Sequence, residues 1–323
     1  MPPLLVIPAM PRTAQTAREA LPALPALSEL LRLADGADRD ADWRSGLLRD
    51  LGAGAQPNLP EAVVAAGALR IPAGSSVCLA APVHAVAGMH RVHLHAAGIL
   101  ELQDDERAAL AEGFAAQFGP ELRLHAAGNQ WLLEALCAVA ADDTDPAGWA
   151  GAPLERQPAS SPEQRQLRRL GAEIEMWLAE QPVNERRRRR GQLPVNLLWL
   201  WGGGVVRARQ VPPAPPAVQL FGDASDAWLA GCAALAGGVV KPLPAGWSGV
   251  EDGGAVVVLH SSPDAPGIEA WDSAWFAPAL EDLRAGRLPA LRLRVGRRLH
   301  EVRDGSLRRL LRRRQPWWQA VGT

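Results

Sequence analysis

Hydrophobic residues in this chain fall into short unbroken runs and helical stripes that alternate along most of its length. Residues 4–7 are four consecutive aliphatics, the length of a buried strand. Segments 26–33 and 42–51 carry apolar residues at three- and four-residue steps, and the second gathers Trp43, Leu47 and Leu48 on one side. From about Ile71 the pattern changes. Strands are predicted at 77–80, 91–95 and 122–126, and helices at 104–118 and 129–139. Asp104 is placed to cap the first of these helices, whose buried face holds Leu110, Phe114 and Phe118. Residues 140–161, rich in Asp, Pro, Gly and Ala, read as a linker. A second alternating series follows, with strands at 197–201, 218–221, 239–241 and 255–260 and helices at 224–236 and 269–285. Alternation of this kind predicts a layered α/β sheet.

The most specific stretch lies between the two series. Leu167, Leu170, Ile174, Trp177 and Leu178 make an amphipathic helix over 163–180, with Pro162 at its first turn after Ser161. Five arginines, Arg186 to Arg190, come next; on a helix they must point several ways, which predicts that most are solvated. Gly191 and Pro194 punctuate the chain, Asn196 opens the apolar run, and Gly202, Gly203 and Gly204 close it. The run predicts a buried strand of a parallel sheet. Glycines at its carboxyl end would let backbone N–H groups approach a ligand.

The order of Pro182, Asn184, Arg187, Arg190, Gly191, Pro194, Asn196, Trp199, Gly202 and Gly204 resembles the archaeal-type cofactor-independent phosphoglycerate mutases of the alkaline phosphatase superfamily. Gln181 stands where that family usually has His, and the tryptophan-rich variant is most similar to its bacterial, RpfE-type regulatory branch. The resemblance implies an alkaline-phosphatase-like sheet core with helices on both faces, built from residues 1–70 and 163–323. It also implies an inserted α+β subdomain at 71–140, joined through 141–162. It implies a phosphate-containing ligand held by Asn184, Arg187, Arg190, Asn196, Gly202 and Gly204.

Active members of the superfamily use two divalent metals, because phosphoryl transfer develops charge that must be neutralised and aligned. The metal-binding Asp-Gly after the family's first strand is replaced here by Pro8, Ala9 and Met10. Of a later Asp-x-x-x-His pair, Asp264 remains while Ile268 takes the His position, and no Asp-His pair occurs between Ala290 and Val302. Ser45, Ser75 and Ser76 sit in no nucleophile pattern. The expectation is a catalytically degenerate, phosphoglycerate-mutase-like protein without a cofactor, binding a phosphate ligand or a regulatory protein partner. The alternative is an active metal-dependent mutase or phosphatase with two divalent metals, such as Mn or Zn, and Asp264 among their ligands.

The chain has 323 residues, a net charge of −1 and balanced basic and acidic totals. That argues for a large soluble α/β protein and against a dedicated nucleic-acid binder. No apolar run is long enough for a membrane span, so a bacterial cytoplasm is the expected compartment. Cys78, Cys137 and Cys232 are widely separated, which predicts reduced core thiols.

Three further features stand apart. His84, His90, His93 and His95 cluster, with His93 and His95 on one strand face beside Arg91; an exposed polar face, an anion or partner surface and a metal site are all open. Leu291, Leu293 and Val295 alternate with Arg292 and Arg294, predicting an edge strand with an arginine face. Trp317 and Trp318 are expected to pack over the core.

Overall fold

The computed structural model describes residues 2–8, 22–39, 43–51, 60–88, 91–126, 128, 131–135, 145–151, 153–154, 161–207, 218–250, 254–259, 268–303, 312 and 316–317. In chain order the strands and helices are β1 (Leu4–Ile7), α1 (Pro25–Leu33), β2 (Asp35–Arg39), α2 (Trp43–Asp50), α3 (Glu61–Ala68), β3 (Ser76–Ala87), β4 (Val92–Ile99), α4 (Asp104–Phe118), β5 (Leu122–His125) and β6 (Trp131–Ala135). There follow α5 (Pro162–Ala179), α6 (Pro182–Arg189), β7 (Leu197–Val205), β8 (Leu220–Phe221), α7 (Ala227–Leu235), β9 (Val240–Lys241), β10 (Val256–Val258), α8 (Ile268–Trp271), α9 (Ala277–Arg284), β11 (Ala290–Val295) and β12 (Arg298–Arg303).

These strands form two sheets. The first runs β2-β12-β11-β1-β10-β8-β9; the stretch from β11 to β9 is parallel, and β12 and β2 join antiparallel to their neighbours. The second is antiparallel and centred on β3, which pairs with β7 on one side and with β6 and β4 on the other, while β5 adds to β6. Strand alternation decides what each face packs against. Leu5 and Ile7 of β1 join Leu27 and Leu30 of α1, Phe276 and Leu280 on one face of the first sheet. Leu4 and Val6 point the other way, into a layer of α2, α3 and α7 that also takes Val77, Leu79, Leu132 and Trp201 from the second sheet. The outer face of the second sheet, with Cys78, Ala80, Trp131 and Leu133, is covered by α4, α5 and α6. Layered α/β architecture, with helices on both faces of the parallel sheet, is therefore what the chain adopts.

Contacts distant in sequence tie the layers together. The first turn of α1 has no capping side chain of its own; Asp272, 246 residues on, accepts from the N–H groups of Ala26 at 3.0 Å and Leu27 at 2.9 Å. Helices α3 and α7 approach so closely that a Cβ on Gly231 would sit 2.0 Å from the carbonyl oxygen of Val64. Trp317 is 2% exposed and donates to the Pro22 carbonyl at 3.0 Å, so it packs on the core as expected. Among the described residues no helix is long and apolar enough to cross a membrane.

Three sequence expectations need correction, and one strand gave no sequence signal. Residues 131–135 form β6 instead of a helix: Trp131 and Leu133 face one core and Leu132 the other, and burial on both faces erases the alternation that would reveal a strand. The run at 197–201 is a strand, but it pairs antiparallel with β3 and belongs to the second sheet. The helices and strand of residues 162–205 pack with the sheet built from 76–135. β11 lies between β1 and β12 and is no edge strand; Arg294 is 1% exposed. Finally, β2 carries the sequence DGADR, which has no apolar pattern to read, and takes the outermost position of the first sheet, where a polar strand discourages further pairing.

Candidate functional site

The segment that carries the family resemblance folds into α6, the connection after it and β7, and most of its polar groups are engaged within the chain. Asn184 is 1% exposed. Its amide donates to the carbonyls of Leu178 and Val195, each at 2.7 Å, and its oxygen accepts from Val195 N–H at 2.7 Å, locking the helix pair to the start of β7. Asn196 reads the backbone of β3 like a strand neighbour, donating to Ala85 O at 2.8 Å and accepting from Ala85 N–H at 2.7 Å.

Arg187 is 4% exposed. It donates to Leu193 O at 2.7 Å, to Glu101 O at 3.3 Å and to Glu106 Oε2 at 2.5 Å. Glu106 is itself fully buried and closes a capping box: Gln103 is the N-cap of α4, and Gln103 N–H donates to Glu106 Oε2 at 3.1 Å. Asp104 thus lies one residue inside the helix and is not its cap. Arg190 is different. Its side chain is half exposed and lies 3.8 Å from Glu106 Oε1 and 3.4 Å from Gln103 Oε1.

The glycines form no turn. β7 continues through them to Val205, and between Leu79↔Trp201 and Val77↔Gly204 it fits one residue more than β3 does, a bulge in which Gly202 takes φ +61°. At Gly204 a Cβ would meet Pro60 Cγ at 2.8 Å and Val63 Cγ2 at 3.0 Å, so the absence of a side chain lets α3 press onto β7. Asn184, Arg187, Arg190 and Asn196 lie at the start of β7, and Gly202 and Gly204 lie at its far end, so the six residues expected to hold a ligand fall into two groups. Asn184, Arg187 and Asn196 join elements, Gly202 and Gly204 shape a strand, and Arg190 keeps a cation at the surface.

Open parallel sheets bind ligands at the carboxyl ends of their strands. There β1 runs into Pro8, β10 into Leu259, β11 into Gly296, and β8 into Gly222 and Asp223. Asp223 Oδ1 accepts from Ser225 N–H at 2.8 Å and Ser225 Oγ at 2.6 Å, and Asp226 caps α7 through the N–H groups of Trp228 and Leu229. Asp264 lies outside the described residues. Among the described residues, no three His, Cys, Asp or Glu side chains gather as a metal-binding group.

Close by, in the layer between the sheets, the Arg44 guanidinium is ringed by Trp43, Trp201 and Trp228 at 4.6, 4.7 and 5.4 Å from the ring centres and pairs with Asp145. This cation is buried on α2 and serves as part of the core.

The histidines on β3 and β4 are resolved by their hydrogen bonds. His84 Nδ1 lies 2.8 Å from the Pro194 carbonyl, which only accepts, so the proton is on Nδ1 and Nε2 carries the lone pair. His95 Nδ1 accepts from Ala97 N–H at 3.1 Å, which leaves its proton on Nε2. The two rings stand 5.9 Å apart as a lone pair and a donor, not as two lone pairs for one cation. His90 lies outside the described residues.

Two groups escaped sequence reading. On β12, His300 is 7% exposed and its Nε2 has no hydrogen-bond partner; burial, then the charge of Arg298, lowers its pKa from 6.5 to about 4. The folded state thus keeps His300 neutral while the unfolded chain takes up a proton below pH 6.5 or so. Stability is expected to fall as pH drops from about 6.5 to about 4, by roughly 3 kcal/mol in all. Urea titrations at pH 7, 5.5 and 4.5 should show a shallower decline for His300→Leu than for wild type. An identical pH dependence would refute this role.

The second group is on the inner face of the second sheet. Glu134 of β6 accepts from Ser75 Oγ at 2.9 Å through Oε1 and from His125 Nε2 at 3.0 Å through Oε2, with Arg123 at 3.9 Å. Burial pushes the Glu134 carboxyl up, but the bonds from His125 and Ser75 outweigh it, and the net pKa is lowered. No local sequence signal joins these four residues; β5, β6 and the residue preceding β3 bring them together.

No known family model matches the chain, and no curated protein matches it. Two solved structures are similar across nearly its whole length. The cofactor-independent phosphoglycerate mutase from Thermoplasma acidophilum DSM 1728 covers 95% of this chain and 91% of its own, with 16% identity and a TM-score of 0.37. The PH0037 protein from Pyrococcus horikoshii covers 99% and 91%, with 12% identity and a TM-score of 0.48.

Proposed function

We propose that this chain is a phosphoglycerate-mutase-like protein of the alkaline phosphatase superfamily that has lost metal-dependent phosphoryl transfer and acts by binding a phosphate-containing ligand or a regulatory partner. One observation carries the reading. At the adjacent carboxyl ends of β1, β10 and β11, where a two-metal centre would draw carboxylate and imidazole ligands, the described residues that follow directly are Pro8, Leu259 and Gly296. A phosphate needs no metal to be held, since guanidinium groups bind it directly. Arg190, with Arg188 and Arg189 exposed beside it on α6, is the anion-binding part of the signature in this proposal.

The test is turnover of 3-phosphoglycerate with added manganese, alongside elemental analysis of the purified protein. Expected are no turnover above buffer and no stoichiometric metal. Manganese-dependent turnover that disappears in Asp264→Ala would establish the active metalloenzyme instead.

A further inference from the structure

β4 ends the second sheet, and a stretch of the chain between β6 and α5 lies along its outer side as a strap. Gly151 N–H donates to Leu94 O at 3.0 Å, Leu154 N–H donates to Val92 O at 2.7 Å, and Pro153 bridges His93 in the antiparallel sense, so the strap meets β4 as an added strand would. Trp149, at the end of the short 3-10 helix Pro146–Trp149, and Leu154 are half-buried against a small cluster of Ala81, Val83, Leu94 and Leu197. At the strap's other end the Asp145 carboxylate pairs with the buried Arg44. Main-chain bonds to a sheet edge, side chains in an apolar seat and one charge pair are how a strand-adding peptide is held. Merely connecting β6 to α5 requires none of them. The hold is also incomplete. Among the described residues the indole N–H groups of Trp201 and Trp228, whose buried rings flank the same guanidinium, have no hydrogen-bond partner, so the Asp145 carboxylate leaves donors around Arg44 unused. Trp149, Ala150, Pro153 and Leu154 all keep partial exposure and Gly151 is exposed, the marks of a segment that opens locally before the sheet does.

We propose that the outer edge of β4 is a peptide-binding groove closed in cis by the strap, and that its partner is a protein segment of the strap's own chemistry. That segment is extended and carries a carboxylate, a tryptophan four residues later and a leucine five residues after that, the spacing of Asp145, Trp149 and Leu154. In trans it takes the Leu94 and Val92 carbonyls, the apolar seat and the Arg44 guanidinium, and the strap swings away. The partner role rests on the regulatory-partner reading given above; peptide binding itself is measured whatever the turnover assay returns.

A fluorescein-labelled peptide of the strap's sequence, DPAGWAGAPL, is titrated by anisotropy against the full-length protein and against its double variant Asp145→Asn with Trp149→Ala. A short tether gives the cis strap an effective concentration on the order of millimolar, so the double variant should bind the peptide at least about tenfold more tightly than wild type. Placed in the peptide instead, Asp145→Asn and Trp149→Ala should each weaken binding about tenfold, since a buried charge pair and an aromatic anchor dominate such contacts. Circular dichroism melts check that the double variant is folded. Hydrogen exchange on wild type needs no variant at all: excess unlabelled peptide should deprotect the amides of Gly151 and Leu154 while those joining β3 and β4 stay protected. Equal affinity for wild type and a folded double variant overturns the proposal, as do no binding to either, indifference to the two peptide substitutions, or Gly151 and Leu154 amides that remain protected in excess peptide.

Discussion

Arg187→Ala is expected to destabilise the protein by about 3–5 kcal/mol, the cost of leaving one member of a buried ion pair without the other. Arg187 and Glu106 are 4% and 0% exposed, and Arg187 also satisfies the carbonyls of Leu193 and Glu101. Truncation strands the Glu106 carboxylate between α4 and α6 and leaves those carbonyls short of a donor. The measurement is the urea midpoint with the slope held in common. The double variant Arg187→Met with Glu106→Leu supplies the control: an apolar pair of similar volume should recover most of the loss, because the pair's own net contribution is small once desolvation is counted. A loss under 0.5 kcal/mol or so, together with weakened phosphate binding, would return Arg187 to the role of ligand residue.

A comparable loss, again about 3–5 kcal/mol, is expected for Asp50→Ala. Asp50 ends α2 and meets two arginines of an interior strand: Arg294 donates to Oδ2 from Nη2 at 2.6 Å and from Nε at 3.1 Å, and Arg292 donates to Oδ1. The Asp50 side chain is 6% exposed and that of Arg294 1%, so little solvent screens the change. Asp50→Asn should cost less than Asp50→Ala, because its amide oxygen still accepts from one guanidinium. The two sites share no partner, so the losses from Arg187→Ala and Asp50→Ala should add to within about 0.5 kcal/mol. A strongly non-additive double variant, or a loss at Asp50 below about 1 kcal/mol, would contradict this account of β11.

Both cases show where sequence reading stopped. The alternation of Leu291, Leu293 and Val295 with Arg292 and Arg294 was legible as a strand, and its apolar face does enter the core. Nothing local says that the opposite face is also covered. Only the placement of α2 over the sheet turns an arginine face that reads as solvated into a buried, paired one. The same holds for Arg187: five consecutive arginines read as a solvated run, and one of them is selected for burial by a glutamate 81 residues earlier. The sequence pointed to Asp104 as the cap of α4; the box of Gln103 and Glu106, and the second task of Glu106 as the partner of Arg187, came only with the fold.

By itself the sequence determined β1, as an unbroken aliphatic run, the helices α1, α2, α4 and α5, whose faces differ in polarity, and the alternating second half. It also determined the likeness in the signature segment, because that likeness is a matter of residue order. Pairing was decided by the tertiary structure. It placed β7 beside β3, made a strand of 131–135, and drew Ser75, Glu134 and His125 into one row. A segment buried on both faces carries no periodicity to read, and a charged side chain shows its burial only when its partner, tens or hundreds of residues away, is in place.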